Sequence, residues 1–580
     1  MRHLVVFLLS LAVSGNTVDP EDYPKDYFRS PLGIPLSLSG NFAEMRSNHF
    51  HAGLDIRTNA QTGYRVYAAA EGTIVRVAVS GGGYGNAVYL QHPNGYTTVY
   101  AHLERFEEPI ASYVKQQQYS GESFEVNLFP PSGRFRFAQG DVIGYSGNSG
   151  SSGGPHLHFE IRDTATSEPL NPLFFGLPVQ DTTRPRAYRV YVYAADPTSA
   201  ARVVSSTGRV LSTAVPGRPA ELSLAESGAG AYAPEGGARI EARGRIAFAI
   251  QAHDYHDNSG SRLGLYRIDL TAGQRFIYRS AMERLNFSLQ RYINAHLDYG
   301  ERIDHGRWVQ RSHLLPGNRL PLYETERDGF LDVAPGDTVP IRYDLRDAYG
   351  NLTAVELQVV GTDLAVPPPP ARTGFLVSRD RPESFVQPGL IVRIPRGALY
   401  EDMELLYSSA DRRTSTYSRL HTLHRASTPI HESITLSIEA DALPADQRDK
   451  ALVARVSGDR LTSAGGGYDA GYVTTQTRGF GTFAIATDNR APSIRALNIS
   501  PGANMGTQSA IRFQISDDLS GIAEYEGLVD GEWVLFEHDP KRSLLYHTFD
   551  GRVAPGRHRL TLRVVDGKNN VAIYEAEFTR

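Results

Sequence analysis

The chain has 580 residues, of which 41% are hydrophobic and 21% charged, and its formal net charge is −5. That length is too great for a single hydrophobic core, so three or four soluble domains are expected rather than a disordered chain. With no Cys and no Lys/Arg block, the composition excludes disulfides, thiolate zinc sites, thiol nucleophiles and nucleic acid as a partner.

In chain order, Met1-Arg2-His3 is a short basic start, and Leu4 to Val13 is an apolar run. The run is too short to span a bilayer, and Ala12-Val13-Ser14 has the small-x-small pattern of a cleavage site. Residues 1–15 therefore read as a signal peptide, which places the mature chain in the periplasm or outside the cell. No later run approaches the ~18 apolar residues of a transmembrane segment. From Asn16 to about Gly40 the sequence is Pro-rich and irregular. Strand-like runs follow at 66–79, broken at Gly72, and at 86–91 and 96–102 around the hairpin signal Pro93-Asn94-Gly95. Another short strand, 141–145, precedes a Gly/Ser-rich loop from Gly147 to Gly154. The loop leads into Pro155-His156-Leu157-His158-Phe159-Glu160-Ile161. All this reads as one β domain, 16–180.

Two later boundaries share a pattern, Asp181-Thr182-Thr183-Arg184-Pro185 and Asp488-Asn489-Arg490-Ala491-Pro492. The segments downstream also echo each other. DYHDNSG (Asp254 to Gly260) resembles DDLSG (Asp517 to Gly521), and DAYGN (Asp347 to Asn351) resembles DGKNN (Asp566 to Asn570). These echoes predict two distantly similar β-sandwich, Ig-like modules, 181–364 and 489–580. Pro367 to Pro370 read as a stiff linker within a third β-rich unit, 365–488. Its segment Val392 to Leu399 weakly resembles ZU5-type β domains. The expected fold class is mainly β throughout.

The residues able to carry chemistry cluster in the first domain. His156 and His158 are two apart on a strand and so share a face. His51 and Asp55 are four apart and share a face on a strand or a helix, with Gly53 between them to relax the backbone. Two imidazoles and one carboxylate suit catalytic zinc and leave a fourth position open. His102, at the end of a hairpin strand, supplies a further imidazole.

In this order the motifs resemble the M23 family of zinc endopeptidases, the lysostaphin type, over residues 41–162. The matching pieces are FAEMRSNHFHAGLDI (Phe42 to Ile56), VYAAAEGTI, GYTTVYAHL (Gly95 to Leu103), GDVIGYSG (Gly140 to Gly147) and GPHLHFEIR (Gly154 to Arg162). The resemblance implies an antiparallel β-sheet peptidase domain with one Zn2+ per chain, held by His51, Asp55 and His158. It also implies His102 and His156 as catalytic histidines that do not bind the metal. One would position or deprotonate water, and one would stabilise an oxyanion or protonate the leaving amine; the sequence leaves open which does which. The implied substrate is the peptide cross-link of peptidoglycan. Envelope proteins are further candidate partners through the β-sandwich modules. One stretch departs from the family pattern: Tyr113 to Phe137 reads as an insertion, either an extra hairpin over the groove or a surface hairpin.

Other residues have plainer readings. Tyr100 and the Gly147–Gly154 loop are expected to line the groove. His49 shares the face of His51 as a structural neighbour, His92 is solvated in a turn, and Glu160 either orients His158 or lies on the surface. Asp254, Asp257 and Asn258 match no calcium-loop spacing and read as a β-turn, with His253 and His256 solvated beside it. Two other functions compete with an active wall endopeptidase. One is a non-catalytic scaffold that binds or activates other wall enzymes, which missing site residues would mark. The other is a peptidase acting on secreted proteins.

Overall fold

The computed structural model of the protein describes residues 20–580 except 258, 367, 369 and 370. The signal-peptide segment, Asn258 and three of the four linker prolines thus lie outside the described residues. Strands dominate, and no described helix is long and apolar enough to cross a membrane.

In the first domain the sheet runs through neighbouring strands Leu38–Gly40, Leu54–Arg57, His156–Asp163, Tyr96–Phe106, Asn86–Gln91, Gly72–Val79 and Arg136–Phe137. Side-chain alternation sets its two faces. Leu54, Ile56, Leu157, Phe159 and Ile161 enter the hydrophobic core with Tyr100 and Phe175. Their neighbours Asp55, His156, His158 and Glu160 are thereby turned to the other face. The register brings Asp55 opposite His158, and His158 opposite Ala101 on the strand beyond.

The insertion differs from the expected hairpin. It begins as a helix, Ile110–Ser120, and its strands Val126–Leu128 and Arg136–Phe137 pair with Gly72–Val79. That strand lies at the opposite side of the sheet from Asp55, so the insertion extends the sheet there and does not roof the histidines. Its buried Ile110 and Val114 anchor it to the core.

The second unit, 186–361, is built on the 15-residue strand Arg239–His253. Its first part pairs with Ala200–Val204 and its last part with Arg186–Ala194 around one core. A helical excursion carrying Ile293–His296 and Tyr299–His305 leaves this unit and packs Met282, Leu285, Ile293 and Leu297 against Phe42, Met45 and Phe50. The short hairpin immediately before His51 is therefore gripped by the second unit.

Two further units each enclose a core between two sheets. The last one folds back onto the first domain. Asp550 accepts a hydrogen bond from Tyr119 Oη at 2.6 Å and pairs with Lys115, while Trp533 meets the Tyr119 ring edge-on. The ammonium of Lys541 donates to the carbonyls of Asn148, Gly150 and Ser152, in the Gly/Ser-rich loop.

Candidate metal centre

Five residues converge on the non-core face of the first sheet. Asp55 Oδ1 lies 3.0 Å from His51 Nε2, 2.9 Å from His158 Nδ1 and 3.2 Å from His156 Nε2. Its Oδ2 lies 3.1 Å from Arg46 Nη2. His102 stands beside them, its ring 4.8 Å from that of His156 and 5.8 Å from that of His158.

Local structure explains each placement. Gly53 approaches the neighbouring strand so closely that a Cβ there would sit 2.3 Å from the Phe159 carbonyl oxygen. The glycine of the His-x-Gly-x-Asp spacing thus permits close approach, rather than merely relaxing the backbone. His102 adopts φ +58°, a left-handed conformation uncommon outside glycine, at an irregularity between Tyr100 and Leu103 in their pairing with Asn86–Gln91. The kink turns its imidazole toward the other histidines.

Every imidazole has one nitrogen fixed by an acceptor. His51 Nδ1 donates to the Asn41 carbonyl at 2.7 Å, and His102 Nδ1 to that of Ser149 at 2.8 Å. His156 Nδ1 donates to that of Gly154 at 2.8 Å, and His158 Nε2 donates to Glu160 Oε1 at 2.8 Å. A carbonyl or carboxylate only accepts, so these contacts set the tautomers and leave the other nitrogens facing inward. His156 Nε2 is buried and faces Asp55 Oδ1 at 3.2 Å, with no other side-chain partner. Ligand atoms of His51, Asp55 and His158 all lie within 4.8 Å of one another. This set of two imidazoles and a carboxylate, with tautomers pre-set and a spare inward nitrogen beside it, fits zinc.

The electrostatics follow from burial and pairing. Burial raises the Asp55 carboxyl, but His51, His156 and His158 outweigh it and hold the group well below its ordinary range. His102 is pushed down to about 3 by burial and by the imidazoles of His158 and His156, which leaves it a neutral acceptor. For His158, hydrogen bonds to Asp55 and Glu160 overcome burial and lift it to about 9. Burial also opposes ionisation of Glu160, yet Arg162 and His158 bring it down to about 2.

Several sequence readings change. Tyr100 is fully buried, its hydroxyl receiving the Ala69 N–H, so it lines the core and not a groove. His92 is buried between the Glu71 carbonyl and Thr98, not solvated. His253 and His256 are buried as well. His49 is exposed and bonds to Ser47, away from His51's partners. Glu160 does contact His158. Arg46, Asn41 and Tyr84, whose hydroxyl meets Glu160, went unnoticed in the sequence. Arg46 lies in the quoted FAEMR segment, while Asn41 acts through its backbone, which no side-chain pattern reveals.

Residues 49–126 match the family described as Peptidase family M23, and residues 375–488 match the Zu5-like domain. The chain is 36% identical over 126 residues to the DD-carboxypeptidase/endopeptidase Mpg of Neisseria meningitidis, covering 20% of this chain and 23% of that protein. It is 32% identical over 164 residues to an uncharacterized metalloprotease of Haemophilus influenzae, covering 27% of this chain and 29% of that one. It is 29% identical over 174 residues to the peptidoglycan DD-endopeptidase ShyC of Vibrio cholerae, covering 29% and 34%. The chain thus spans about a quarter to a third of the length of these relatives. The match to Peptidase family M23 thus falls within the first domain, and further β-rich domains follow it.

Proposed function

We propose that the protein is a secreted, zinc-dependent endopeptidase that hydrolyses peptide cross-links in peptidoglycan. His51, Asp55 and His158 are its metal ligands, and His102 and His156 are its catalytic histidines. The observation that carries this reading is the set of four imidazoles, each tethered through one nitrogen and facing Asp55 or its neighbours with the other. The relatives' names, DD-endopeptidase among them, support the choice of substrate. The leader-like N-terminus supports an envelope location. The four separate cores support dividing the mature chain into a peptidase domain to about residue 180, two Ig-like modules and the unit between them.

Zinc at this site supplies Lewis-acid polarisation of a carbonyl and acidification of water. The protein's residues do the rest. Glu160 holds the His158 ring through Nε2 and so aims Nδ1. Arg46 occupies Asp55 Oδ2 and leaves Oδ1 to the centre. His102, anchored on the Ser149 carbonyl through Nδ1, presents Nε2 to the centre as an acceptor that can orient water. His156 Nε2, which faces the centre 3.2 Å from Asp55 Oδ1, is placed to meet substrate oxygen or the leaving nitrogen. The presence of all the expected donors supports this reading over a non-catalytic scaffold.

The test is digestion of purified peptidoglycan by the full chain, with metal content and released muropeptides read by mass spectrometry. One zinc per chain and new peptide termini are expected. Absence of zinc, or muropeptides unchanged by His102→Ala, would overturn the proposal.

A further inference from the structure

The second unit holds a cluster of charge that the peptidase reading does not use. Asp181, at the start of the unit, Asp254, after its long strand, and Asp347, in the turn 347–351, come from three separate segments. All three are buried, at 8%, 1% and 2% exposure. Ligand atoms of Asp181, Asp254 and His256 lie within 4.8 Å of one another. Asp181 Oδ2 and Asp254 Oδ1 are buried with no hydrogen-bond partner. Among the described residues, the recorded ion pair to these carboxylates is from His256 Nε2, 3.6 Å from Asp181 Oδ2, and none comes from Lys or Arg. Burial pushes His256 down to about 4, so it is neutral and supplies no compensating charge. Burial, with repulsion from Asp347 and from each other or Asp257, raises Asp254 well above the usual carboxylate range and Asp181 to about 7.

The last unit repeats the frame and shows what is missing. In both, the first Asp receives the N–H two residues on, from Thr183 and from Arg490. In both, an Asn side chain spans from the turn Asp to that first Asp's carbonyl: Asn351 from Asp347 to Asp181, and Asn570 from Asp566 to Asp488. Asp488, Asp517 and Asp566 gather in the same way. There, however, the Lys568 ammonium lies within electrostatic reach of Asp488 and Asp566. The corresponding turn position in the second unit is Tyr349, which brings no charge.

We infer that the Asp181–Asp254–Asp347 cluster is a binding site for a hard divalent cation of the calcium type. Three buried carboxylates without a counter-ion are strongly unfavourable, because each desolvated charge repels the others. Carboxylate oxygens drawn from separate loops are the donors such a cation takes. The two unpartnered oxygens, Asp181 Oδ2 and Asp254 Oδ1, are the direct ligands, and the Asn351 bridge holds Asp347 and the 181 backbone around them. Bound, the ion staples the start of the second unit to its turn, immediately after the peptidase domain.

The test uses the full chain, stripped of metal and then reloaded with zinc to fill the peptidase centre. Calcium binding by equilibrium dialysis and melting with and without calcium are compared for the wild type, Asp254→Asn and Asp181→Asn. The wild type should bind one calcium more per chain than either variant, and its melting temperature should rise with calcium while theirs does not. In chelator the order should invert, the variants melting at or above the wild type because a repelling charge is gone. Asp517→Asn, in the last unit, should keep the wild-type response. Equal calcium stoichiometry in wild type and variants, or no calcium binding at all, would overturn the assignment. Should one variant fail to fold by near-UV circular dichroism, the other decides.

Discussion

The metal centre of the first domain and the acidic cluster of the second use similar side chains in opposite electrostatic states. Around Asp55 and Glu160 every buried charge has a partner: Arg46, Arg162 or an imidazole lies within hydrogen-bond reach. Around Asp254 the neighbours are other carboxylates and a neutral imidazole. Removing a negative charge should therefore be harmful in the first place and, without a cation, harmless or helpful in the second. Burial alone does not tell a ligand from a liability; the partner of each buried oxygen does.

The comparison can be broken most sharply at Asp55. Asp55→Ala should abolish stoichiometric zinc and lower hydrolysis by on the order of a thousandfold, since metal polarisation supplies several kcal/mol. Metal analysis and muropeptide release measure both. Glu160→Gln tests the supporting partner. Metal affinity, measured by chelator competition, should fall about 10- to 100-fold. Melting should fall as well, because Arg162 is left buried beside a neutral amide, at a cost of up to about 3–5 kcal/mol. A rise in melting temperature there, as expected for Asp254→Asn in chelator, would erase the contrast between the two clusters.

Smaller effects probe what holds the centre in shape. Gly53→Ala forces a methyl against the Phe159 carbonyl and should cost about 1–3 kcal/mol, read by denaturant unfolding, with a matching loss of activity. Lys541→Ala removes the contact between the last unit and the loop carrying Asn148, Gly150 and Ser152. Lys541 is exposed, so stability should change by less than about 1 kcal/mol. Hydrogen exchange in that loop should nevertheless quicken; unchanged exchange would mean the loop is rigid on its own.

Much of the first domain could be read in the sequence because its signals are local. Strand alternation places His156, His158 and Glu160 on one face whatever the rest of the chain does. The hairpin signal Pro93-Asn94-Gly95 fixes the partner of the strand that carries His102. The paired Asp-x-x-x-Pro and Asp-x-x-x-Asn echoes correspond to the same Asn bridge in the second and last units. The insertion was misread because its helix, Ile110–Ser120, is short and has few apolar positions, and its place is set by pairing with Gly72–Val79. His92, His253 and His256 were misplaced for a similar reason: polar residues near turns are usually solvated, and only tertiary packing buries them.

By itself the sequence determined the identity of the five converging residues, the β character of the whole chain and the repetition between its second and last units. Those properties depend on residue type and on spacings of two to five positions. Tertiary structure alone decided which carboxylates are paired and which are not. It also decided that the hairpin before His51 is held by the second unit, and that Lys541 reaches the loop of Ser149 across nearly 400 residues of chain. Those facts depend on contacts between segments remote in sequence, where the electrostatic balance of a buried group is fixed by neighbours that no local pattern names.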